Sequence, residues 1–285
     1  MFTQEAIKEI QQAHATAAIS AAVHAAYHHP SATVFTPDDF TRHDLEKLLP
    51  HRRRARGKLS TSDIGAFRDY TLAHKETGAT VFLDADAMSA CAVLNLGGSA
   101  FPGHADNTST LKLKATAAYT ALLQTANGRQ ISQQTAAEFL EDWAAEVQCF
   151  GESGGQLQHG AAVAALRKLT IDTARKVESA EGQLSASLSV MEQVKASSET
   201  PVPTTIYFAC TPYHGLQTRS FVLRLAVHTT GDKPTLSLRV KNLEGAQEEM
   251  AQEFANKVRE AIDNKVREAI DNAIPVVIGT YETKD

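Results

Sequence analysis

With 285 residues, 43% of them hydrophobic and 21% charged, the chain can bury a sizeable core, which excludes wholesale disorder and any need for a structural metal or disulfide. Its formal net charge of -5 excludes attraction of polyanions by the surface as a whole, so any nucleic-acid contact must be local. Cys91, Cys149 and Cys210 are odd in number and far apart, which fits neither a disulfide framework nor paired zinc ligands and points to reduced thiols.

The opening Met1-Phe2-Thr3-Gln4-Glu5 lacks a basic start and an apolar run, and no later segment approaches ~18 consecutive apolar residues. The expectation is a cytoplasmic protein of a bacterial host cell, with no membrane segment.

Residues 4–29 carry helix formers without Gly or Pro until Pro30, and alanines recur from Ala13 to Ala26, which predicts an Ala-rich helix. Ile7, Ile10, Ile19 and Val23 offer too little bulk for a core of their own, so this arm is expected to dock on the body or on another subunit. A short extended piece at Thr33-Val34-Phe35 precedes Thr36-Pro37-Asp38-Asp39, where a cap residue, a proline and two acids announce a helix. A second start at Ser60-Thr61-Ser62-Asp63 leads into Ile64, Phe67 and Tyr70 at helical spacing.

Thr80-Val81-Phe82-Leu83 and Ala90-Cys91-Ala92-Val93-Leu94 read as two strands, and Thr110-Leu111-Lys112-Leu113-Lys114 alternates like a third with one wet face. A helix around residues 119–126 should stop at Asn127-Gly128, and another should start at Ser132 and run through Phe139, Leu140, Trp143 and Val147. Gly151-Glu152-Ser153-Gly154-Gly155 is a flexible connection. Residues 161–191 stay open between helix and strand. Strands are predicted at 205–209, 220–228 and 235–240, the last two forming an antiparallel hairpin across Thr230-Gly231-Asp232-Lys233.

The closing helix, residues 244–273, contains a tandem repeat, the octapeptide Lys257-Val258-Arg259-Glu260-Ala261-Ile262-Asp263-Asn264 recurring at 265–272. Eight residues at 3.6 per turn rotate the second copy by roughly 80° and raise it by roughly 12 Å. Met250, Phe254, Val258, Ile262, Val266 and Ile270 therefore form a row that drifts around the helix, and a duplication that lengthens the helix explains it better than a purpose-built binding device. Pro275 then admits a final strand at Val276-Val277-Ile278.

The elements add up to an α+β fold: a mixed, largely antiparallel sheet with flanking helices, an Ala-rich N-terminal helix and a long C-terminal helix. Residues 1–30 are expected to form the helical arm and residues 31–285 the body, with a sub-domain boundary near 151–158.

The sharpest local feature is His51-Arg52-Arg53-Arg54-Ala55-Arg56-Gly57-Lys58, because cations packed so closely repel unless water, carboxylates or a polyanion neutralise them. Asp38, Asp39, Asp44 and Glu46 precede it, so a solvated or internally paired loop is the plainer reading. The functional reading is contact with nucleic acid or an acidic partner through Arg52, Arg53, Arg54, Arg56 and Lys58. Phe67 and Tyr70 follow on a helix and could stack bases, but core packing explains them better.

His104 and Asp106 stand two residues apart and, with His74 or His159, form a weak metal-site alternative; a hydrolytic centre needs at least three ligands, and no second cluster is visible. His28-His29 before Pro30 reads as a helix end. No Gly-x-Ser-x-Gly elbow is present, and Gly97-Gly98-Ser99 does not continue as a phosphate loop. No cofactor is expected.

Several blocks in order resemble the YfdQ-like family of uncharacterised prophage proteins, a domain of unknown function. They are Leu49-Pro50-His51-Arg52-Arg53-Arg54-Ala55-Arg56-Gly57, Ala66-Phe67-Arg68-Asp69-Tyr70, Ala92-Val93-Leu94-Asn95 with His104 and Asp106, and Gln133-Gln134-Thr135-Ala136-Ala137-Glu138-Phe139-Leu140-Glu141-Asp142. Residues 203–208 and 275–279 complete a likeness spanning about residues 31–280. The resemblance implies a phage or prophage setting among early replication, recombination and host-takeover genes, and it supplies no catalytic residues. The octapeptide duplication and the Ala-rich arm depart from the family pattern.

The resulting expectation is a non-enzymatic phage accessory protein, a homo-oligomer that works through a binding surface toward nucleic acid or an acidic host protein. The alternatives are a metal-assisted hydrolase using His104 and Asp106, and a structural or assembly protein.

Overall fold

The computed structural model describes residues 3–26, 50–52, 54–151, 154–169, 202–228, 234–263 and 273–282. The chain divides into two compact units, Met1–Ala55 and Arg56–Asp285.

In the first unit, α1 (Gln4–Ala26) realises the Ala-rich helix. Thr3 starts it, its hydroxyl accepting the Ala6 N–H at 3.3 Å. Ile7 and Ile10 are exposed on it. The extended piece and helix expected after Pro30 lie outside the described residues, as do His28 and His29.

The second unit contains two sheets where the sequence pointed to one. The first has the order β1 (Gly57–Thr61), β4 (Asn107–Lys112), β3 (Ser89–Val93), β2 (Thr80–Asp84) and β11 (Val276–Ile278). Its outer pairs, β1 with β4 and β11 with β2, are parallel, and the inner pairs are antiparallel. The second sheet is antiparallel throughout, in the order β5 (Asn127–Ser132), β10 (Thr235–Val240), β9 (Arg219–His228), β8 (Thr205–Cys210), β6 (Val147–Phe150) and β7 (Gln156–Leu157).

Each sheet buries one face, as period-2 strands require when a single side is covered. Val81, Leu83, Ala90, Ala92 and Leu111 point inward from the first sheet, and Ile206, Phe208, Leu223, Leu225, Leu236 and Leu238 from the second. Both rows belong to one continuous core cluster. Against the first sheet packs α2 (Ile64–His74), which touches β1, β4 and α6 (Leu243–Asp263). Helices α3 (Ala117–Thr125), α4 (Gln133–Asp142) and α5 (His159–Arg167) serve the second sheet. Ring contacts knit this layer: Phe139 stacks on Phe208 at 5.6 Å, and Tyr119 meets Phe221 at 5.6 Å.

Helix starts follow local chemistry. The Asp63 carboxylate accepts the Ala66 N–H at 2.6 Å, Thr116 Oγ1 accepts the Tyr119 N–H at 3.2 Å, and Ser132 Oγ accepts the Thr135 N–H at 3.0 Å. On α6, Met250, Phe254, Val258 and Ile262 are all buried, with Ala251 and Ala255 broadening the stripe. A row drifting by ~40° per step can thus stay inside a wide apolar face. Arg219 ties the start of β9 to this helix through Glu249 at 2.5 Å and Glu253 at 3.0 Å. The second copy of the octapeptide lies outside the described residues.

Several elements differ from the sequence reading. The basic run does not stay a loop as far as α2, because residues 57–61 form the edge strand β1. The third strand begins three residues earlier than expected, with the buried polar Asn107 and Ser109 on its inner face. The helix expected to extend to Val147 ends at Asp142, and Val147 opens β6. Asn127-Gly128 both ends α3 and opens β5. The Gly151 N–H donates to Gly155 O at 2.9 Å next to the pairing of β6 with β7, while Glu152 and Ser153 of the flexible connection lie outside the described residues.

Candidate nucleic-acid interface

The basic segment leads into β1 through a backbone hydrogen bond from Gly57 N–H to Asp106 O at 3.1 Å. From there the register runs Gly57 with Asn107 and Lys58 with Thr108, so Lys58 stands on the outermost strand and on the open face. Arg52, Arg56 and Lys58 are exposed and Arg54 is half-buried; Arg53 lies outside the described residues. Arg54 and Arg56 also have intramolecular partners. Phe67 is buried in the core and Tyr70 packs against it, so neither presents a free ring for stacking.

His104 and Asp106 sit on the loop between β3 and β4, and this loop is built for structure. Asn95, buried at its root, donates its side-chain amide to the Asp106 carboxylate at 2.9 Å and accepts the Asn107 N–H at 3.0 Å. Gly97 has φ at 71°, and a Cβ on it would come within 2.3 Å of Phe101 O, so the turn of this loop requires glycine there. His104 is exposed. Among the described residues no group of three or more His, Cys, Asp or Glu side chains is placed to hold a metal ion, and neither His74 nor His159 joins His104 and Asp106 in one.

The thiols are held in their neutral form. Burial pushes Cys149 up to about 11, and burial with the nearby Glu146 charge pushes Cys210 up to about 11. Burial also raises Cys91, against the opposing influence of a hydrogen bond with Thr110 and the Lys58 charge. All three are free cysteines.

A feature with no local signature is the open face of the six-stranded sheet. Two depressions of about 540 and 560 Å³ lie on it and share Thr204, Thr205 and Tyr207. Arg224, Arg239 and Lys241 line the second. The positions of these cations in β9, in β10 and just beyond it are plain from the strand pattern, but that two of them meet depends on strand register.

No helix among the described residues is long and apolar enough to cross a membrane. No curated protein and no solved structure matches the chain significantly. The match that does emerge covers residues 4–281, almost the whole chain, and on that breadth the chain belongs to the DUF2303 family of uncharacterized conserved proteins.

Proposed function

We propose that this protein is a non-catalytic accessory protein of phage or prophage origin that acts in the bacterial cytoplasm by binding nucleic acid. The observation that carries this reading is the exposure of Arg52, Arg56 and Lys58 in a cationic segment of a chain whose net charge is -5. An acidic protein otherwise repels a polyanion, so such a concentration of fixed cations is the natural point of approach. The neutral, buried thiols and the structural engagement of Asp106 support contact rather than bond making as the activity. The YfdQ-like resemblance supports the phage setting.

Self-association belongs to the same reading. β11 is an edge strand whose Val277 and Ile278 are 45% and 72% exposed, the kind of edge that another chain covers. Light scattering should return a mass above that of one chain; a strictly monomeric mass contradicts it.

The test is fluorescence anisotropy with labelled duplex DNA at two salt concentrations, comparing the intact protein with an Arg52→Ala, Arg53→Ala, Arg54→Ala variant. The intact protein should bind with an affinity that falls as salt rises, and the variant should bind more weakly with a shallower slope. Equal, negligible binding by both overturns the reading.

A further inference from the structure

Strand register brings a second cationic surface together on the open face of the six-stranded sheet. In an antiparallel ladder, residues directly opposite one another project to the same side, with Cβ atoms roughly 4.5–5.5 Å apart. Arg239 of β10 is directly opposite Arg224 of β9, Arg224 is opposite Thr205 of β8, and Thr205 is opposite Phe150 of β6. The neighbouring row places Tyr207 between Gln148 and Val222, and Lys241 follows at its end through a backbone bond to Val222 O at 2.8 Å.

Like charges at directly opposite positions of a ladder repel and are destabilising. Here their strand neighbours on the face are Thr205, Val222, Ala226 and Ser237, none of which is charged; the acid Glu146 lines the first depression and is absent from the lining of the one that holds the cations. Among the described residues, Arg224, Arg239 and Lys241 form no ion pair, although all three are exposed. Beside the cations stand two rings. Tyr207 is 38% exposed, and Phe150 holds its ring edge-on at 5.2 Å. Tyr207 lines both depressions.

Unneutralised cations next to a propped aromatic ring on an open sheet match the two demands of an unpaired strand. Its phosphates need positive charge, and its bases need a flat apolar face. A duplex offers the first and hides the second. We infer that this face binds single-stranded nucleic acid, with Tyr207 stacking a base and Arg224, Arg239 and Lys241 holding the flanking phosphates. This inference rests on the proposed function and extends it to a surface separate from the basic segment.

The probe is a fluorescein-labelled oligothymidylate of about 20 nucleotides, titrated with the full chain at about 50 and 200 mM salt. The unsubstituted protein should bind it. Arg224→Gln with Arg239→Gln should reduce the steepness of log affinity against log salt by roughly 1.4, two contacts at about 0.7 each. Tyr207→Ser should weaken binding roughly 5- to 150-fold, and Tyr207→Phe, which keeps the ring, should leave it near the original value. These side chains project from the open face, and equal melting temperatures will verify that each variant is folded. Unchanged affinity in both the arginine and Tyr207→Ser variants overturns the inference, as does an arginine effect without a tyrosine effect, which marks a generic polyanion contact. If the Arg52, Arg53, Arg54 triple variant loses duplex binding while the sheet-face variants keep the oligothymidylate, the proposed function survives and this inference does not. If only the sheet-face variants lose binding, the inference stands and the basic segment is not the contact.

Discussion

The Asn95 side chain holds Asp106 and the start of β4 at once, donating to the Asp106 carboxylate at 2.9 Å and accepting from the Asn107 N–H at 3.0 Å. Replacing it with Leu leaves the buried Asn107 N–H without its side-chain acceptor and should lower stability by about 2 kcal/mol in urea unfolding. Asp106→Asn can still accept a hydrogen bond and should cost under about 1 kcal/mol. A reversed order shows that the carboxylate charge, rather than the Asn95 contact, organises the loop.

The same geometry bears on the metal alternative. With Asp106 engaged by Asn95 and His104 exposed, added Zn or Mn should leave the melting temperature unchanged. A rise of several degrees that disappears in His104→Ala restores the hydrolase reading.

Phe254 is fully buried in the middle of α6, within the core shared by both sheets. Phe254→Ala should destabilise the protein by about 3–5 kcal/mol, the transfer loss plus the cavity, as read by chemical denaturation. A cost below about 1 kcal/mol shows that α6 does not anchor the body.

Cys149 and Cys210 give a pH dependence with a definite sign. Burial raises both to about 11 from an ordinary 9.0, so the native state keeps its protons where the unfolded chain has lost them. Their contribution is complete below pH 9 and is lost as pH climbs from there through about 11, on the order of 1–2 kcal/mol per thiol. The denaturation midpoint should therefore fall between pH 8 and pH 10, less so in a Cys149→Ala, Cys210→Ala variant. Rapid alkylation of either thiol in the native protein at neutral pH contradicts the burial that causes the shift.

Arg52 and Lys58 are exposed, and substituting either with Ala should change stability by less than about 0.5 kcal/mol. Each should still flatten the salt dependence of duplex binding, by up to about 0.9. A large loss of stability from either one shows that its charge serves the fold.

Much of this fold is legible in the sequence because the signals are local. Asp63 capping α2, Ser132 capping α4 and the alternation of β9 and β10 are each written within a few residues of the element they define. The strands that escape such a reading are polar and short of apolar pattern. β1 carries one inward apolar side chain, Leu59, and β5 only Ile131, because edge strands are held by backbone pairing more than by burial. β6 reads as continued helix because Phe139, Trp143 and Val147 sit four apart, a spacing that suits both. Division into two sheets, and the meeting of Arg224 with Arg239, depend on pairings between distant segments that no local window contains. The candidate site divides in the same way: the arginine run is visible in any reading of the sequence, whereas the sheet-face cations become a cluster only through register.

Nucleic-acid binding is tested most directly by the salt dependence of affinity for the unsubstituted protein. Several phosphate contacts predict log affinity falling linearly with log salt at a slope between about -2 and -4. A slope near zero, or no binding at low salt to either single or double strands, contradicts it.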